Sequence, residues 1–389
     1  MEKDKYVGIC KVGEKGQIVI PVEARKMFDI KPGDSIIVLC DKEKGIALVK
    51  SNVIEDLADD ILKKWGIKMK LINKHFITKD SNVINYYETN NDKPILLIIH
   101  AQGTNAMSYL KVIKDLSKNF HLLLVDCYGH GKSSHNRAKY NLIVQGDDLI
   151  EFIQTTTNGN ISVLGHSSGG LIACYIASNY NSCKNLILED APLFSSNGDK
   201  RFNTFNFKDL STVCHNFINQ NEETDFVYYY FMNQYCWNFF PEDSREKIKN
   251  KLGQFALKYR QKHPEKILKV PFWPKKFLEV FNGLNEYDPY FGETFYDDSF
   301  NDNVNYNELL SNIKCNTLFM KANTTIGKDG LIQGALTDED LEQVIKLISN
   351  IKVEYFDCGH GIHSEKPKEF INCVNRALEK QEFEKGFEK

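Results

Sequence analysis

The stretch "ISVLGHSSGGLIACYIAS", residues 161–178, joins an apolar run to a tail of small residues through a turn of glycine and serine. The run has the composition of a buried strand and the tail that of a helix, so we predict a strand, a tight turn and a helix. Residues 165–169 fit the pattern G-x-S-x-G in this context, which projects the central serine out of the sheet. Ser167 is therefore the candidate nucleophile, and the competing interpretation is a structural turn without chemistry.

Short apolar runs recur along the chain and predict a parallel sheet covered on both faces. Helix-like segments separate most of these runs, which lie at 96–100, 122–126, 162–166, 186–190, 317–321 and 353–357. The alternation predicts a doubly wound α/β domain that binds ligands at the carboxyl ends of its strands. The rhythm breaks at 195–312, an aromatic-rich insertion. We expect this insertion to lie over the strand ends as a lid, although its aromatic residues also suit a packed core.

A serine hydroxyl becomes a good nucleophile only when a base removes its proton. The segment "VEYFDCGHGIHSEKPKEF", which contains the last predicted strand and the residues after it, holds His360 and His363. His360 follows the strand more directly, so we predict that it is the base. We expect His363 to be a packed or hydrogen-bonded neighbour.

A carboxylate must orient that histidine, and the sequence offers two. Asp329 follows the apolar run 317–321 and precedes His360, with a helix and a strand between them, so it is the preferred candidate. Asp190, at the end of the run 186–190, is the alternative acid. Its competing interpretation is a helix cap or a lid hinge.

The oxyanion that forms when a serine attacks a carbonyl needs backbone N–H donors. We predict that Ser168, the residue after the nucleophile, supplies one donor, and that Gln102 in the loop "HAQG" supplies the other. His100 begins the same loop, and we expect it to be a structural hydrogen-bonding residue.

Composition limits the classes of function that fit. The chain has 389 residues, enough for two or three domains, and a net charge of −3, so any contact with nucleic acid must come from a local patch. It has no signal-peptide pattern and no apolar run that could span a bilayer, so we expect a cytoplasmic protein. Ten scattered cysteines without a C-x-x-C pair indicate reduced thiols. The spacing of potential ligands suggests no metal, and the loop 126–135 lacks phosphate-loop spacing, so we expect no cofactor.

The first 50 residues alternate apolar and polar positions in short runs, which predicts a small β-rich module with one helix over "PVEARKMFD". A unit of this size buries little surface alone, so we expect an intertwined homodimer. Residues 51–66 have helical apolar spacing. They form either a helical linker or an amphipathic helix packed on the next domain, which we place at 67–389.

Several quoted segments together resemble the α/β-hydrolase superfamily over residues 67–380: "HAQG", "DCYGHGKSS", "GHSSG", the lid insertion and "CGHGIHSEKPKEF". The resemblance implies an eight-stranded, mostly parallel sheet with helices on both faces. It also implies a Ser-His-acid mechanism.

The stretch "GEKGQIVIPVEARKMFDIKPGD" resembles the swapped-hairpin family of bacterial transition-state regulators and antitoxins, of the AbrB, MazE and SpoVT type. This resemblance implies dimerisation by hairpin exchange and contact with DNA through Lys11, Lys15, Arg25 and Lys26. Residues 1–50 hold 10 lysines and arginines against 8 aspartates and glutamates, a net charge of +2. Dimerisation is therefore the stronger expectation, and a solvated charged face is the alternative to DNA binding.

These observations favour a carboxylesterase-like serine hydrolase that cleaves an ester, thioester, lactone or similar acyl compound. The aromatic lid favours a largely apolar substrate. The alternative is a transcriptional regulator in which the N-terminal module binds DNA and the hydrolase-like domain senses a small molecule. In a third interpretation the N-terminal module is only a dimer clamp.

Overall fold

The computed structural model describes residues 13–14, 17–31, 36–41, 45–50, 71–271, 273, 280–327 and 330–379. The chain divides into two compact units, Met1–Lys70 and Leu71–Lys389. Three parts of the sequence-based predictions lie outside the described residues: the segment 51–66, the lysines Lys11 and Lys15, and the preferred acid Asp329.

The described residues of the first unit form one short helix and one β-hairpin. Helix α1 spans Val22–Met27, with Pro21 at its N-cap, where the φ fixed by the proline ring suits the start of a helix. Strands β1, Ile36–Asp41, and β2, Gly45–Lys50, pair antiparallel with Asp41 opposite Gly45. These elements agree with the strands and the short helix that the alternating pattern predicts.

The second unit is built on an eight-stranded sheet, as predicted. Its strands are β3 Leu71–Ile77, β4 Val83–Thr89, β5 Ile95–Ile99, β6 His121–Val125, β7 Ile161–His166, β8 Cys183–Glu189, β9 Asn316–Lys321 and β12 Ile351–Tyr355. Their order in the sheet is β12-β9-β8-β7-β5-β6-β4-β3. Strands β3 and β4 pair antiparallel with each other, β4 pairs antiparallel with β6, and the other pairings are parallel. Two short strands, β10 Thr325–Ile326 and β11 Ile332–Gln333, form a separate hairpin.

Both faces of the sheet are covered. Leu96, Leu97 and Ile98 follow one another in β5, and all three are buried. Successive side chains of a strand point to opposite faces, so each face must be packed against other elements. The helices around the sheet are α2 Leu110–Leu116, α3 Leu142–Thr156, α4 Ser168–Asn179, α10 Asp338–Leu347, α11 Ile362–Glu365 and α12 Pro367–Glu379.

The insertion between β8 and β9 is largely helical. Its α-helices are α5 Thr212–Ile218, α6 Phe226–Asn233, α7 Glu242–Lys262, α8 Pro289–Tyr296 and α9 Tyr306–Ser311, and a π-helical turn spans Phe207–Ser211. Many of its aromatic side chains are buried core, Phe231 and Phe281 among them. The part of the chain that the structure describes contains no helix long and apolar enough to cross a membrane.

Candidate active site

Ser167 occupies a strained turn between β7 and α4. Its backbone has φ 52° and ψ −123°, a region that L-residues rarely adopt. Its N–H donates to the carbonyl oxygen of Glu189 at 3.0 Å, and its own carbonyl oxygen accepts from the N–H of Gly170 at 2.8 Å. Such strain persists where surrounding contacts hold it, and it is concentrated at functional sites.

Two glycines allow this turn to form because backbone passes within contact distance of both. A Cβ atom at position 165 would lie 2.3 Å from the carbonyl oxygen of Gly169. A Cβ atom on Gly169 would lie 2.5 Å from the carbonyl oxygens of Ile99 and His100. The elbow is therefore pressed against the carboxyl end of β5, and β5 and β7 are neighbours in the sheet.

His360 lies beside the acid that the sequence placed second. Its Nδ1 is 2.7 Å from Oδ2 of Asp190, whose side chain is fully buried. The other oxygen of that carboxylate accepts from the N–H of Ala322 at 3.1 Å, and Asp190 itself has φ 44°. The structure thus brings His360 and Asp190 together at the ends of β8 and β12.

A second carboxylate–histidine pair lies next to the first. The buried Glu189 accepts from the backbone N–H of His363 and lies 2.8 Å from its Nδ1. Tyr109 donates its hydroxyl to the other oxygen of Glu189 at 3.2 Å. Burial alone would raise the pKa of Glu189, but the neighbouring His363 and His166 outweigh that effect and lower it. His363 is therefore a buried structural residue, as the sequence suggested, whereas the role of Glu189 was missed.

The histidine inside the elbow also contacts the loop that carries His360. The Nε2 of His166 lies 3.0 Å from the backbone oxygen of His360. Burial lowers the pKa of His166 to about 3, although Glu189 acts in the opposite direction. The ring is consequently neutral at pH 7, and a neutral ring has one N–H available for the carbonyl.

The predicted oxyanion donors lie at adjoining strand ends. The backbone N–H of Gln102 donates to Oγ of Ser168 at 2.8 Å, so this amide is paired with a hydroxyl in the structure. The side chain of Gln102 is held by the lid: its Nε2 donates to the Tyr287 hydroxyl, and its Oε1 accepts from Asn206, both at 3.0 Å. Ser168 is the first residue of α4, where backbone N–H groups have no partner within the helix.

Two further histidines near this loop are structural. His100 accepts the N–H of Cys127 at Nε2, and its Nδ1 lies 2.8 Å from the carbonyl oxygen of Ala101. His130 accepts the N–H of Gly103 at Nε2, and its Nδ1 lies 3.0 Å from the carbonyl oxygen of Tyr128. Burial lowers the pKa of both rings, so neither is suited to accept a proton at neutral pH.

A cavity of about 350 Å³ joins these groups to the lid. Ser167, His360, Gln102 and Ser168 line it at the end near the sheet. The lid contributes Phe205, Phe207, Asp209, Leu210, Tyr230, Gln234, Val280 and Phe295. The site is therefore a mainly apolar chamber with polar groups at defined points, which is the usual form of a small-molecule site.

One group of three side chains in the described part of the chain has the spacing of a metal site. The ligand atoms of His166, Glu189 and His363 lie within 4.8 Å of one another, and all three residues are buried. Glu189 and His363 are hydrogen-bonded to each other, and Nε2 of His166 contacts the backbone oxygen of His360. They serve here as a polar network behind His360.

The predicted DNA-binding residues in the first unit are described only in part. Arg25 and Lys26 lie in α1, where both are exposed, and Arg25 donates from Nε to the carbonyl oxygen of Ile20 at 3.1 Å. Five apolar side chains nearby are also exposed, namely Ile18, Val19, Val22, Met27 and Phe28.

Comparison with known proteins agrees with both resemblances. Residues 94–367 match the family model of the alpha/beta hydrolase fold, and residues 9–56 match the MazE family of bacterial antitoxins, described as antidote-toxin recognition. A Rhodobacter capsulatus magnesium-chelatase 30 kDa subunit is 36% identical over 22% of this chain and 31% of its own length. An Acinetobacter baylyi (E)-2-((N-methylformamido)methylene)succinate hydrolase is 32% identical over 26% of this chain and 38% of its own. The chain thus spans less than half the length of these two relatives.

Solved structures show the same fold at low sequence identity. A hydrolase from Pseudomonas aeruginosa matches 79% of this chain and 98% of its own at 17% identity, with a TM-score of 0.52. An E-2-(acetamidomethylene)succinate hydrolase matches 80% of this chain and 100% of its own at 13% identity, with a TM-score of 0.54. With a family model that matches more than half of its length, the chain belongs to the α/β-hydrolase family.

Proposed function

We propose that the second unit is a serine hydrolase that cleaves an ester or a related acyl substrate. Ser167 is the nucleophile, His360 the general base and Asp190 the acid that orients it. The backbone amides of Gln102 and Ser168 stabilise the oxyanion. The proposal thus gives Asp190 the role of orienting acid, for which the sequence analysis preferred Asp329.

The observation that carries the proposal is the 2.7 Å contact between His360 Nδ1 and the fully buried carboxylate of Asp190. A carboxylate on Nδ1 holds the proton there and leaves Nε2 as the basic atom. His360 lines the same cavity as Ser167, whose backbone is strained as a nucleophile elbow requires.

In the proposed reaction Nε2 of His360 takes the proton of the Ser167 hydroxyl as Oγ attacks the substrate carbonyl. The resulting imidazolium is stabilised by Asp190 and returns its proton to the leaving group when the acyl–oxygen bond breaks. Water then attacks the acyl-enzyme with His360 again as base, which releases the acid and restores the serine.

We propose that the bond cleaved is an ester. The alternative is an amide bond, in which the acyl carbon is joined to nitrogen. Two of the similar proteins are named as hydrolases of amidomethylene succinates. Their identity to this chain is 32% and 26% over partial lengths, so the ester assignment is tested directly against amides.

The test is hydrolysis of p-nitrophenyl esters of two to ten carbons beside the matching anilides. We expect ester turnover that falls at least about 10³-fold in Ser167→Ala, together with labelling of Ser167 by a fluorophosphonate probe. Turnover of the anilides alone would move the assignment to amide cleavage. Absence of any Ser167-dependent turnover and of labelling would favour the alternative of a ligand sensor.

For the first unit we propose dimerisation, with DNA binding as a second role through Arg25 and Lys26. The match of residues 9–56 to the MazE family supports the proposal for this unit. The five exposed apolar side chains between positions 18 and 28 support dimerisation in particular. Exposed apolar groups of this density indicate a protein–protein surface. If the first unit binds DNA and the second unit hydrolyses its substrate, the protein is a regulator whose ligand-sensing domain is also an active hydrolase.

A further inference from the structure

The lid contributes three buried polar side chains to the cavity wall that the proposed mechanism does not use. Asp209 belongs to the π-helical turn, Tyr230 to α6, and Gln234 follows α6 directly. Their exposed fractions are 4%, 2% and 2%, and all three line the cavity. We call these three residues the lid subsite.

Gln234 has a buried acceptor without a partner. Its Nε2 donates to the carbonyl oxygen of Phe231 at 3.1 Å, whereas its Oε1 is buried and has no hydrogen-bond partner among the described residues. Turning the amide over would place Oε1 against the Phe231 oxygen, so the observed orientation is the favourable one. A buried acceptor left unpaired is costly, and such groups in native proteins mark a missing partner.

The other two members of the lid subsite also present acceptors. Tyr230 donates its hydroxyl proton to Oδ2 of Asp209, so its oxygen keeps only lone pairs for a ligand. The carboxylate also accepts from the N–H of Tyr235 at 2.5 Å. Both oxygens of this carboxylate therefore already accept hydrogen bonds, and the acceptor that lacks a partner among the described residues is the neutral amide oxygen of Gln234.

The cation that lines the cavity does not supply the missing donor. Arg201 donates to the carbonyl oxygens of Gly198 and Tyr296, and its guanidinium stacks over the Phe202 ring. Leu210, Val280 and Phe295 line the same cavity and provide apolar wall for a hydrocarbon chain.

We propose that the lid subsite binds a neutral hydrogen-bond donor, a hydroxyl or an N–H, carried by the substrate at a distance from its scissile carbonyl. The inference rests on the proposed function because the carbonyl is taken to lie at Ser167. The substrate class is then an acyl compound with an apolar chain that ends in a hydroxyl or amide N–H. A site built to pair such a group discriminates strongly against the analogue that lacks it.

The experiment compares p-nitrophenyl esters of four to ten carbons that end in a methyl group with the matching ω-hydroxy esters. At one or two chain lengths we expect the wild-type kcat/KM to favour the hydroxy ester by about tenfold or more. Gln234→Met keeps the size of the side chain but removes the acceptor, so the preference should disappear. Gln234→Asn draws the oxygen back by one methylene, so the preference should move to a chain about one carbon longer.

Gln145→Met is the matched control. Gln145 is buried to the same extent and also has an unpartnered side-chain atom, but it lies in α3 and does not line the cavity. Its variant should keep the wild-type preference. If Gln234→Met keeps the wild-type preference at every chain length, the proposal is wrong. The hydrogen-bond partner of Oε1 would then be an ordered water.

Binding to Ser167→Ala separates this proposal from the proposed function. Calorimetric titration with the same pairs of esters should show tighter binding of the hydroxy compound, and Gln234→Met in that background should abolish the difference. Hydrolysis without any preference would overturn the lid subsite and leave the hydrolase. Selective binding without hydrolysis would overturn the hydrolase and leave the subsite.

Discussion

Two acidic side chains follow one another at the carboxyl end of β8, Glu189 and Asp190. Glu189 is the last residue of β8 and Asp190 follows it with φ 44°, and each carboxylate meets a different histidine of the segment after β12. Glu189 holds His363, and Asp190 holds His360. The loop is therefore attached to the sheet at two points, which limits the rotation of the His360 ring.

Asn substitutions distinguish the two candidate acids. Asp190→Asn leaves the shape of the site but removes the charge that stabilises the imidazolium, so we expect kcat to fall by about 10³–10⁴-fold. Asp329→Asn should change kcat by less than about threefold. The measurement is steady-state ester hydrolysis by both variants, and a larger loss in Asp329→Asn would return the role to that residue.

The neutral His166 makes stability depend on pH. Burial lowers the pKa of His166 to about 3 in the folded chain, against about 6.5 when unfolded. Between these values the unfolded chain binds a proton that the folded chain does not, so the free energy of unfolding falls as the pH is lowered. We expect His166→Gln to reduce that dependence by about 1.4 kcal/mol per pH unit between pH 4 and 6.

Urea unfolding at several pH values measures this slope. The control is His75→Gln, because it removes a histidine from an exposed position of β3. Asp209 acts with the opposite sign, since burial raises its pKa to about 6 and the folded chain then binds the extra proton. Asp209→Asn should therefore steepen the loss of stability on acidification, and equal slopes in all variants would contradict the assignment.

At the scale of elements, the elbow depends on close packing between α4 and β5. Gly169 is the contact point because any Cβ there meets two backbone oxygens at 2.5 Å. Backbone atoms yield less readily than the end of a side chain, so the helix must move to accept even a methyl group. That movement would carry Ser167 with it.

We expect Gly169→Ala to destabilise the domain by about 3 kcal/mol and to abolish most of the ester hydrolysis. Thermal unfolding and kcat give the two readouts. Ser178→Ala in the same helix is the control, since it shortens a half-buried side chain without adding a Cβ atom. A Gly169→Ala variant with wild-type stability and turnover would show that the elbow tolerates expansion.

At the scale of the whole molecule, a small N-terminal module precedes a larger domain with the α/β-hydrolase fold. The five exposed apolar residues of the first unit would be buried if two copies paired through that module. Deletion of residues 1–66 should therefore convert a dimer into a monomer without loss of ester hydrolysis. Sedimentation velocity and p-nitrophenyl ester turnover test both statements, and a deletion variant that stays dimeric would place the interface in the second unit.

DNA binding by the first unit should depend on salt and on its basic residues. We expect Arg25→Ala/Lys26→Ala to weaken duplex DNA binding at least about tenfold in 50 mM salt and to make its salt dependence shallower. Lys247→Ala/Lys251→Ala removes the same charge from exposed positions of α7 and should have little effect. If both double variants weaken DNA binding equally, the binding is a general attraction between DNA and the positive charges of the protein. If the wild type does not bind DNA at low salt, dimerisation is the remaining role of the first unit.

The sequence alone determined the features that depend on neighbouring residues. The apolar runs predicted the parallel strands because both faces of such a sheet are buried. The G-x-S-x-G pattern located the elbow because only small residues permit that turn. The sequence also placed His360 after the last strand, and its role as general base stays a prediction. The two resemblances agree with both family matches.

Only the tertiary structure decided which groups meet across distant segments. Asp190 and His360 are far apart along the chain, and their pairing depends on β8 and β9 lying side by side with β12 next to β9. The partnership of Glu189 with His363 and the unpaired oxygen of Gln234 depend in the same way on the packing of loop and lid. Local patterns report the geometry of one segment, whereas hydrogen bonds between segments follow from strand order and from how the lid closes the cavity.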